Sequence, residues 1–266
     1  MKRLNIACGG RYHKDWINID FNPVSKEVKK VNVLDGLPFE DNSIDVVYSS
    51  HFLEHLTQEQ ADFVLKESQR ILKKDGIIRI VVPDLENICK EYLKILKLVK
   101  NDKKYEEEYQ WITVELLDQL VRVNRGGKMG EIFSHVASTK NKKLANYILS
   151  RTGEELLKES EQKTDKITLH KIKNKLLSLY LRTVRLLIPK NLRDIIFVNT
   201  SVGEKHQWMY DRYSLVTKLS NIGFRNILVK KYNESGIDNF NSYFLDIKED
   251  GAPYKGISSL YVEAQK

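Results

Sequence analysis

The sequence predicts an α/β protein whose mainly parallel sheet is interrupted by a long helical insertion. Three observations carry this. Residues 1–84 alternate short β-rich runs with helix-spaced apolar residues, the pattern of βαβ units. From Leu85 to about Asn199 apolar residues recur every three or four positions, and the only strand-like run is Ile195–Val198. Sheet-like runs then return and continue to the end of the chain.

In order, Arg3–Ala7, Trp16–Ile19, Val31–Val33, Asp45–Ser49 and Ile77–Val82 read as strands one to five. Phe63, Val64, Ser68, Ile71 and Leu72 recur at helical spacing before strand five. Lys73-Lys74-Asp75-Gly76 reads as the end of that helix, cations first and then a C′ glycine. After the insertion come a helix from Tyr213 to Asn221 stopped by Gly223, a strand at Ile227–Val229 and a last strand at Ser259–Glu263. The expected domains are therefore 1–84 with 200–266, and a helical unit at 85–199.

The 266 residues are 41% hydrophobic and 30% charged, too polar for a membrane-spanning chain and too apolar for a disordered one. Met1-Lys2-Arg3 precedes only a short apolar stretch, so neither a signal peptide nor a spanning helix is read there, and a cytoplasmic protein is expected. Two distant cysteines, Cys8 and Cys89, exclude a disulfide framework and a cysteine-based zinc ribbon.

Ligands of open α/β sheets bind beyond the carboxyl ends of the strands, so the residues just after each strand are the candidates for binding. Ala7-Cys8-Gly9-Gly10 comes after strand one, and its small residues permit close backbone approach. Asp20 comes after strand two, where a carboxylate can accept both hydroxyls of a ribose, and Asp35-Gly36 comes after strand three.

Leu4-Asn5-Ile6-Ala7-Cys8-Gly9, Ile17-Asn18-Ile19-Asp20, Leu37-Pro38-Phe39-Glu40-Asp41-Asn42-Ser43-Ile44-Asp45-Val46-Val47 and Leu53-Glu54-His55 together resemble the class I S-adenosylmethionine (SAM) dependent methyltransferases. Gly203-Glu204-Lys205-His206-Gln207-Trp208-Met209-Tyr210-Asp211 and Ser259-Leu260-Tyr261-Val262-Glu263-Ala264 resemble a bacterial subgroup associated with surface-polysaccharide synthesis. The resemblance implies a Rossmann-like seven-stranded methyltransferase sheet with the helical insertion between strands five and six, serving as a substrate lid. It implies that Ala7, Cys8 and Gly9 face the methionine part of SAM, Asp20 the ribose, and Asp35 with Gly36 the adenine, while Ser50 and His51 line the methyl-transfer side. The chain departs from the pattern in carrying Asn5 for the usual acidic residue and Ala7 for the first glycine, with only 12 residues from Cys8 to Asp20.

Three readings of His51-Phe52-Leu53-Glu54-His55 compete. On a helix, His51, Glu54 and His55 would share a face and are candidate ligands of a divalent metal, to which the family resemblance adds His206. Some class I O-methyltransferases, to which this cluster is similar, bind such an ion. A metallopeptidase helix is the second reading, and the flanking nucleoside-type sheet argues against it. In the third, His55 is a satisfied wall residue. General-base catalysis by His55 or His206 without metal is the favoured chemistry. Cys8 is expected to be there for fit rather than catalysis, and Trp16, Trp111 and Trp208 to be packing residues.

The net charge of +8 is concentrated between Lys163 and Arg193, which hold nine Lys or Arg and one Asp. Lys171, Lys175, Ser178, Arg182 and Arg185 repeat at helical spacing beside an apolar stripe of Ile172, Leu176, Tyr180, Val184 and Leu187, an amphipathic basic helix. Its default partner is the body of the protein; an anionic membrane surface comes next, then a nucleic-acid backbone, with a groove-type partner protein also open. The expected function is methyl transfer to a hydroxyl or amine of a saccharide, lipid-linked saccharide or related cell-surface precursor. A catalytically silent SAM-binding scaffold and an RNA methyltransferase are the alternatives.

Overall fold

The computed structural model describes residues 1–158, 179–180, 183–184, 187–189 and 204–266. The basic stripe of Lys171, Lys175, Ser178, Arg182 and Arg185 and the strand expected at Ile195–Val198 lie outside the described residues.

Seven strands form one mixed sheet: β1 (Arg3–Ile6), β2 (Ile17–Asp20), β3 (Val28–Lys30), β4 (Ile44–Ser50), β5 (Leu72–Pro83), β6 (Arg225–Lys230) and β7 (Ser259–Gln265). Their order is β3-β2-β1-β4-β5-β7-β6, and β7 runs antiparallel to both of its neighbours. The third strand sits earlier than the expected Val31–Val33, because Asn32 caps a 3-10 turn at Val33–Asp35 with its own side chain and so ends the extended run.

Helix α1 (Gln58–Ile71) opens with a capping box of Thr57 and Gln60 and buries Ala61, Val64, Leu65, Ser68 and Ile71 along one face. It stops at Ile71, so Gly76 is not its C′ residue. Leu72 pairs with Ile44, and the next aligned pair is Val46 with Ile77, which leaves Lys73–Gly76 as a bulge inside β5. A Cβ at Gly76 would lie 2.9 Å from the Lys73 carbonyl oxygen, so the bulge requires glycine.

Among the described residues four helices directly follow β5: α2 (Leu85–Asn101), α3 (Glu106–Val121), α4 (Gly127–Thr139) and α5 (Lys142–Thr152). Asp84 caps α2 by accepting from the Glu86 and Asn87 amides. Trp111 is fully buried among Val136, Leu144 and Ile148, and its indole donates to Glu115 at 3.0 Å. The last helix, α6 (Arg212–Ile222), runs from an Asp211–Ser214 capping box to Gly223.

Alternation along the strands divides the sheet into two faces. Leu4, Ile6, Ile19, Val47, Ile80 and Val262 meet α1 and α6, chiefly through Leu65, Leu215 and Leu219. The opposite face presents Trp16, Val46, Tyr48, Val81 and Tyr261 to Ile237, Phe240 and Leu245 of the segment 231–258. No helix lies between β1 and β2, and the carbonyls of that loop are held instead by asparagines. Asn5 Nδ2 donates to the Arg11 carbonyl at 3.1 Å, and Asn18 Nδ2 donates to those of His13 and Trp16 at 2.9 Å each. Arg79, 0% exposed, lies on this same face, donating to Asp246 and Glu263 at 2.7 Å each.

The end of α5 is stitched to the chain leading into β7. The Ile257 and Ser258 amides donate to the Ser150 and Arg151 carbonyls at 2.9 and 3.1 Å. Gly153 (φ 80°) and Gly256 (φ 67°) make the contact: a Cβ on the first would fall 2.1 Å from the Tyr254 oxygen, and one on the second 2.3 Å from the Arg151 oxygen.

Candidate active site

Chain leaving β1 and β4 forms the first cavity, of about 190 Å³. Ala7 and Gly9 turn with φ of 53° and 52°, and the carboxylate of Asp20, at the end of β2, accepts from the Gly9 amide at 2.9 Å and from Asn22 at 2.8 Å. Of the residues expected on the cofactor side, Ala7, Cys8, Gly9, Ser50 and His51 line this cavity. Asp20 supports the glycine loop and is not on the wall. Asp35 and Gly36 are not on it either: with β3 ending at Lys30, Asp35 belongs to a 3-10 turn and is exposed, and Gly36 faces Glu67.

The remaining wall includes residues the sequence did not mark. Tyr48 comes from β4, Arg11 from the β1–β2 loop, and Leu245, Tyr254 and Lys255 from the 231–258 segment. Arg11 ties the last two regions together, donating to the Ile247 carbonyl at 2.7 Å with its guanidinium 4.0 Å from the Tyr254 ring centre. Its position in a turn gave no signal, because its partners lie more than 230 residues away. The Cys8 thiol is pushed up to about 12 by burial and by Asp20, so it is protonated at neutral pH and is no nucleophile.

A second cavity of about 180 Å³ adjoins the first. Glu115 and Gln119 of α3, Met129 and Phe133 of α4, and His206 with Met209 ahead of α6 contribute to it. His51 and Lys255 line both cavities. His51 stands at the end of β4 with a left-handed φ of 50°, the kind of strained backbone that a packed site holds in place. Its Nε2 is 2.9 Å from the Ser259 hydroxyl. Burial holds its imidazole well below the ordinary histidine value, so it is neutral at neutral pH.

The helical face expected for His51, Glu54 and His55 does not form. Leu53–His55 is a 3-10 turn, and His51, with its left-handed backbone, stands before it rather than on a shared helix, its Nδ1 3.5 Å from Glu54 Oε1. The tight turn instead sends Glu54 inward, where it is 0% exposed, and sets the His55 ring against that of His206 with centroids 4.9 Å apart. His206 lines the second cavity, and His55 lines neither. The His55 Nδ1–H donates to the Lys205 carbonyl at 3.1 Å, which leaves Nε2 as the ring's lone-pair nitrogen. Burial, helped by His55 and Arg122, lowers the His206 imidazole to about 3. Trp16 is a packing residue, edge-on to Tyr48 and Phe240.

Residues 6–80 match a family model described as a methyltransferase domain. Among solved structures the chain is similar to a SAM-dependent methyltransferase from Archaeoglobus fulgidus, with 13% identity over 100% of this chain and 86% of that one and a TM-score of 0.41. A Methanosarcina mazei methyltransferase gives 14% identity, coverage of 100% and 92%, and a TM-score of 0.41. One from Thermotoga maritima, described as a possible histamine N-methyltransferase, gives 11%, 100% and 82%, and 0.40. No curated protein matches. The matched stretch runs from the last residue of β1 into β5 and takes in the loops after β1 and β4 that help line the first cavity, and with the sheet order it defines the class: the fold is the Rossmann-like methyltransferase fold. Among the described residues no helix is long and apolar enough to cross a membrane.

Proposed function

We propose that this chain is a SAM-dependent methyltransferase and that it methylates a hydroxyl of a saccharide or a related cell-surface polysaccharide precursor. The observation that carries the reading is the wall shared by the two cavities: SAM in the first would direct its methyl group past His51 toward an acceptor in the second. The second cavity mixes carboxylate, amide and imidazole groups with Phe133, a lining that suits a polyhydroxylated ring. Glu115 is already engaged there by Arg151 at 2.8 Å, which leaves Gln119 and the histidines to orient the acceptor.

Transfer is an in-line displacement. The acceptor oxygen forms a bond to the methyl carbon, the carbon–sulfur bond breaks, and its electron pair neutralises the sulfonium to give S-adenosylhomocysteine. The hydroxyl proton passes to a neutral imidazole. His51 fits that task by its place on both cavities, ahead of His55 and His206, to which the sequence assigned it. Membrane-presented acceptors would suit the basic run at 163–193.

Calorimetry with SAM and assays for S-adenosylhomocysteine on nucleotide sugars, lipid-linked sugars and RNA test the reading. Turnover on a sugar supports it. SAM binding without turnover on any of these would leave a silent binder, and turnover on RNA alone would replace the acceptor. Asp20→Ala should release the Gly9 loop that lines the first cavity, weakening SAM binding by about 2–4 kcal/mol. Unchanged affinity in the folded variant removes Asp20 from the site.

A further inference from the structure

Two cations line the first cavity, and neither has a carboxylate partner among the described residues. Arg11 is engaged by the Ile247 carbonyl and the Tyr254 ring. The Lys255 ammonium lies 5.6 Å from the centre of the same ring and forms no ion pair or hydrogen bond with any described residue. No acidic side chain among the described residues lines that cavity. A charge held in a partly buried wall loses solvation that an opposite charge restores.

Lys255 differs from Arg11 in reach. It also lines the acceptor cavity, and with Tyr254, Glu155 and Lys248 it lines a third cavity of about 240 Å³. The acids of these walls leave it unpaired. Glu115 is bound by Arg151 and the Trp111 indole, Glu155 by Lys158 and Lys248, and the exposed Glu154 forms no ion pair with it. Glu54, wholly buried beside His51, has no hydrogen-bond partner. The backbone around Lys255 is nonetheless clamped. The Tyr254 amide donates to the Asp246 carbonyl at 2.7 Å, the Ser259 hydroxyl donates to the Lys255 carbonyl at 3.3 Å, and the Ile257 and Ser258 amides tie the next residues to α5. A compact charge with three donors is thus fixed at its root with its head uncommitted.

SAM cannot satisfy both cations. It carries one carboxylate against a sulfonium and an ammonium, so a filled first cavity would still hold excess positive charge beside the acceptor's place. We propose that Lys255 binds an anionic group, carboxylate or phosphoryl, carried by the acceptor, and so selects a charged sugar over a neutral one. The sugar half of this proposal rests on the function proposed above; the anion contact does not.

The test uses the full chain saturated with S-adenosylhomocysteine and titrated calorimetrically with glucose, glucuronate, glucose 6-phosphate and inorganic phosphate at low and high salt. Glucuronate and glucose 6-phosphate separate a carboxylate from a phosphoryl source. At least one charged sugar should bind about tenfold or more tighter than glucose through charge-assisted hydrogen bonds, the advantage shrinking with salt. Lys255→Met should remove that advantage and Lys255→Arg keep most of it. The thermal midpoint of each variant reports folding, and Lys255→Gln replaces the methionine variant should that one unfold. Equal binding of glucose and both charged sugars by the parent protein, or a preference that survives in Lys255→Met, overturns the proposal and leaves the saccharide reading standing. A loss of SAM affinity as large as the loss for the charged sugar also overturns it, by assigning the ammonium to the cofactor's carboxylate. Phosphate bound through Lys255 with no sugar bound supports the anion contact and removes the sugar. Neither phosphate nor sugar bound, by a chain that binds SAM, overturns both.

Discussion

One face of the sheet is closed by α1 and α6 over aliphatic side chains; the other is closed by residues 231–258, in which the regular element is a 3-10 turn at Phe240–Tyr243. The helical face is held by burial, which is non-directional and forgiving of shape-preserving change. The other face carries Asn5, Asn18, Tyr48, Arg79 and Glu263, each with specific partners, and its covering segment also supplies Leu245, Tyr254 and Lys255 to the first cavity, the one proposed to hold SAM. The contrast teaches that stability and cofactor shape are coupled on one face and separable on the other.

Asp246→Ala should have the largest effect. It removes a carboxylate bound to both Tyr48 and Arg79 and leaves the buried guanidinium short of a partner, costing about 3–5 kcal/mol in urea unfolding and weakening SAM binding as well. A loss below about 1 kcal/mol would break the comparison. Leu219→Ala, in the α6 layer, should cost about 2–5 kcal/mol through its cavity while SAM affinity at a temperature well below unfolding stays within twofold. A parallel fall in affinity would show the faces to be equally coupled. Arg11→Gln should do the reverse, lowering SAM affinity about tenfold by calorimetry with little change in the unfolding midpoint. The smallest change is Thr57→Ala, expected to cost about 1 kcal/mol through the lost cap of α1 with SAM binding untouched.

Legibility in the sequence divides along the same line. Leu4, Ile6 and the helical spacing of α1 and α6 are local patterns, and all seven strands are found within a few residues of their expected places. The boundaries that moved did so through side chains acting on their own backbone, Asn32 at the third strand and the bulge at Gly76 in the fifth. The covering segment was not legible. Arg79 and Asp246 are 167 residues apart, and neither residue type announces burial. In the site, the glycine loop was readable because close approach restricts residue type. The inward turn of Glu54 was not, since a helical reading of the same five residues places that carboxylate on one shared face with two histidines.

The paired glycines at 153 and 256 bear on how this enzyme could be given a new acceptor. They key the last turn of α5 to the chain entering β7 with no room for a side chain on either partner. A helical segment grafted from a relative would therefore have to end in glycine at the same register, and a single inserted residue on either side would displace Lys255 from both cavities at once. Retargeting by loop lengthening is closed at this seam. The open route is exchange of side chains on α3 and α4, where Gln119, Met129 and Phe133 can be varied without touching the joint.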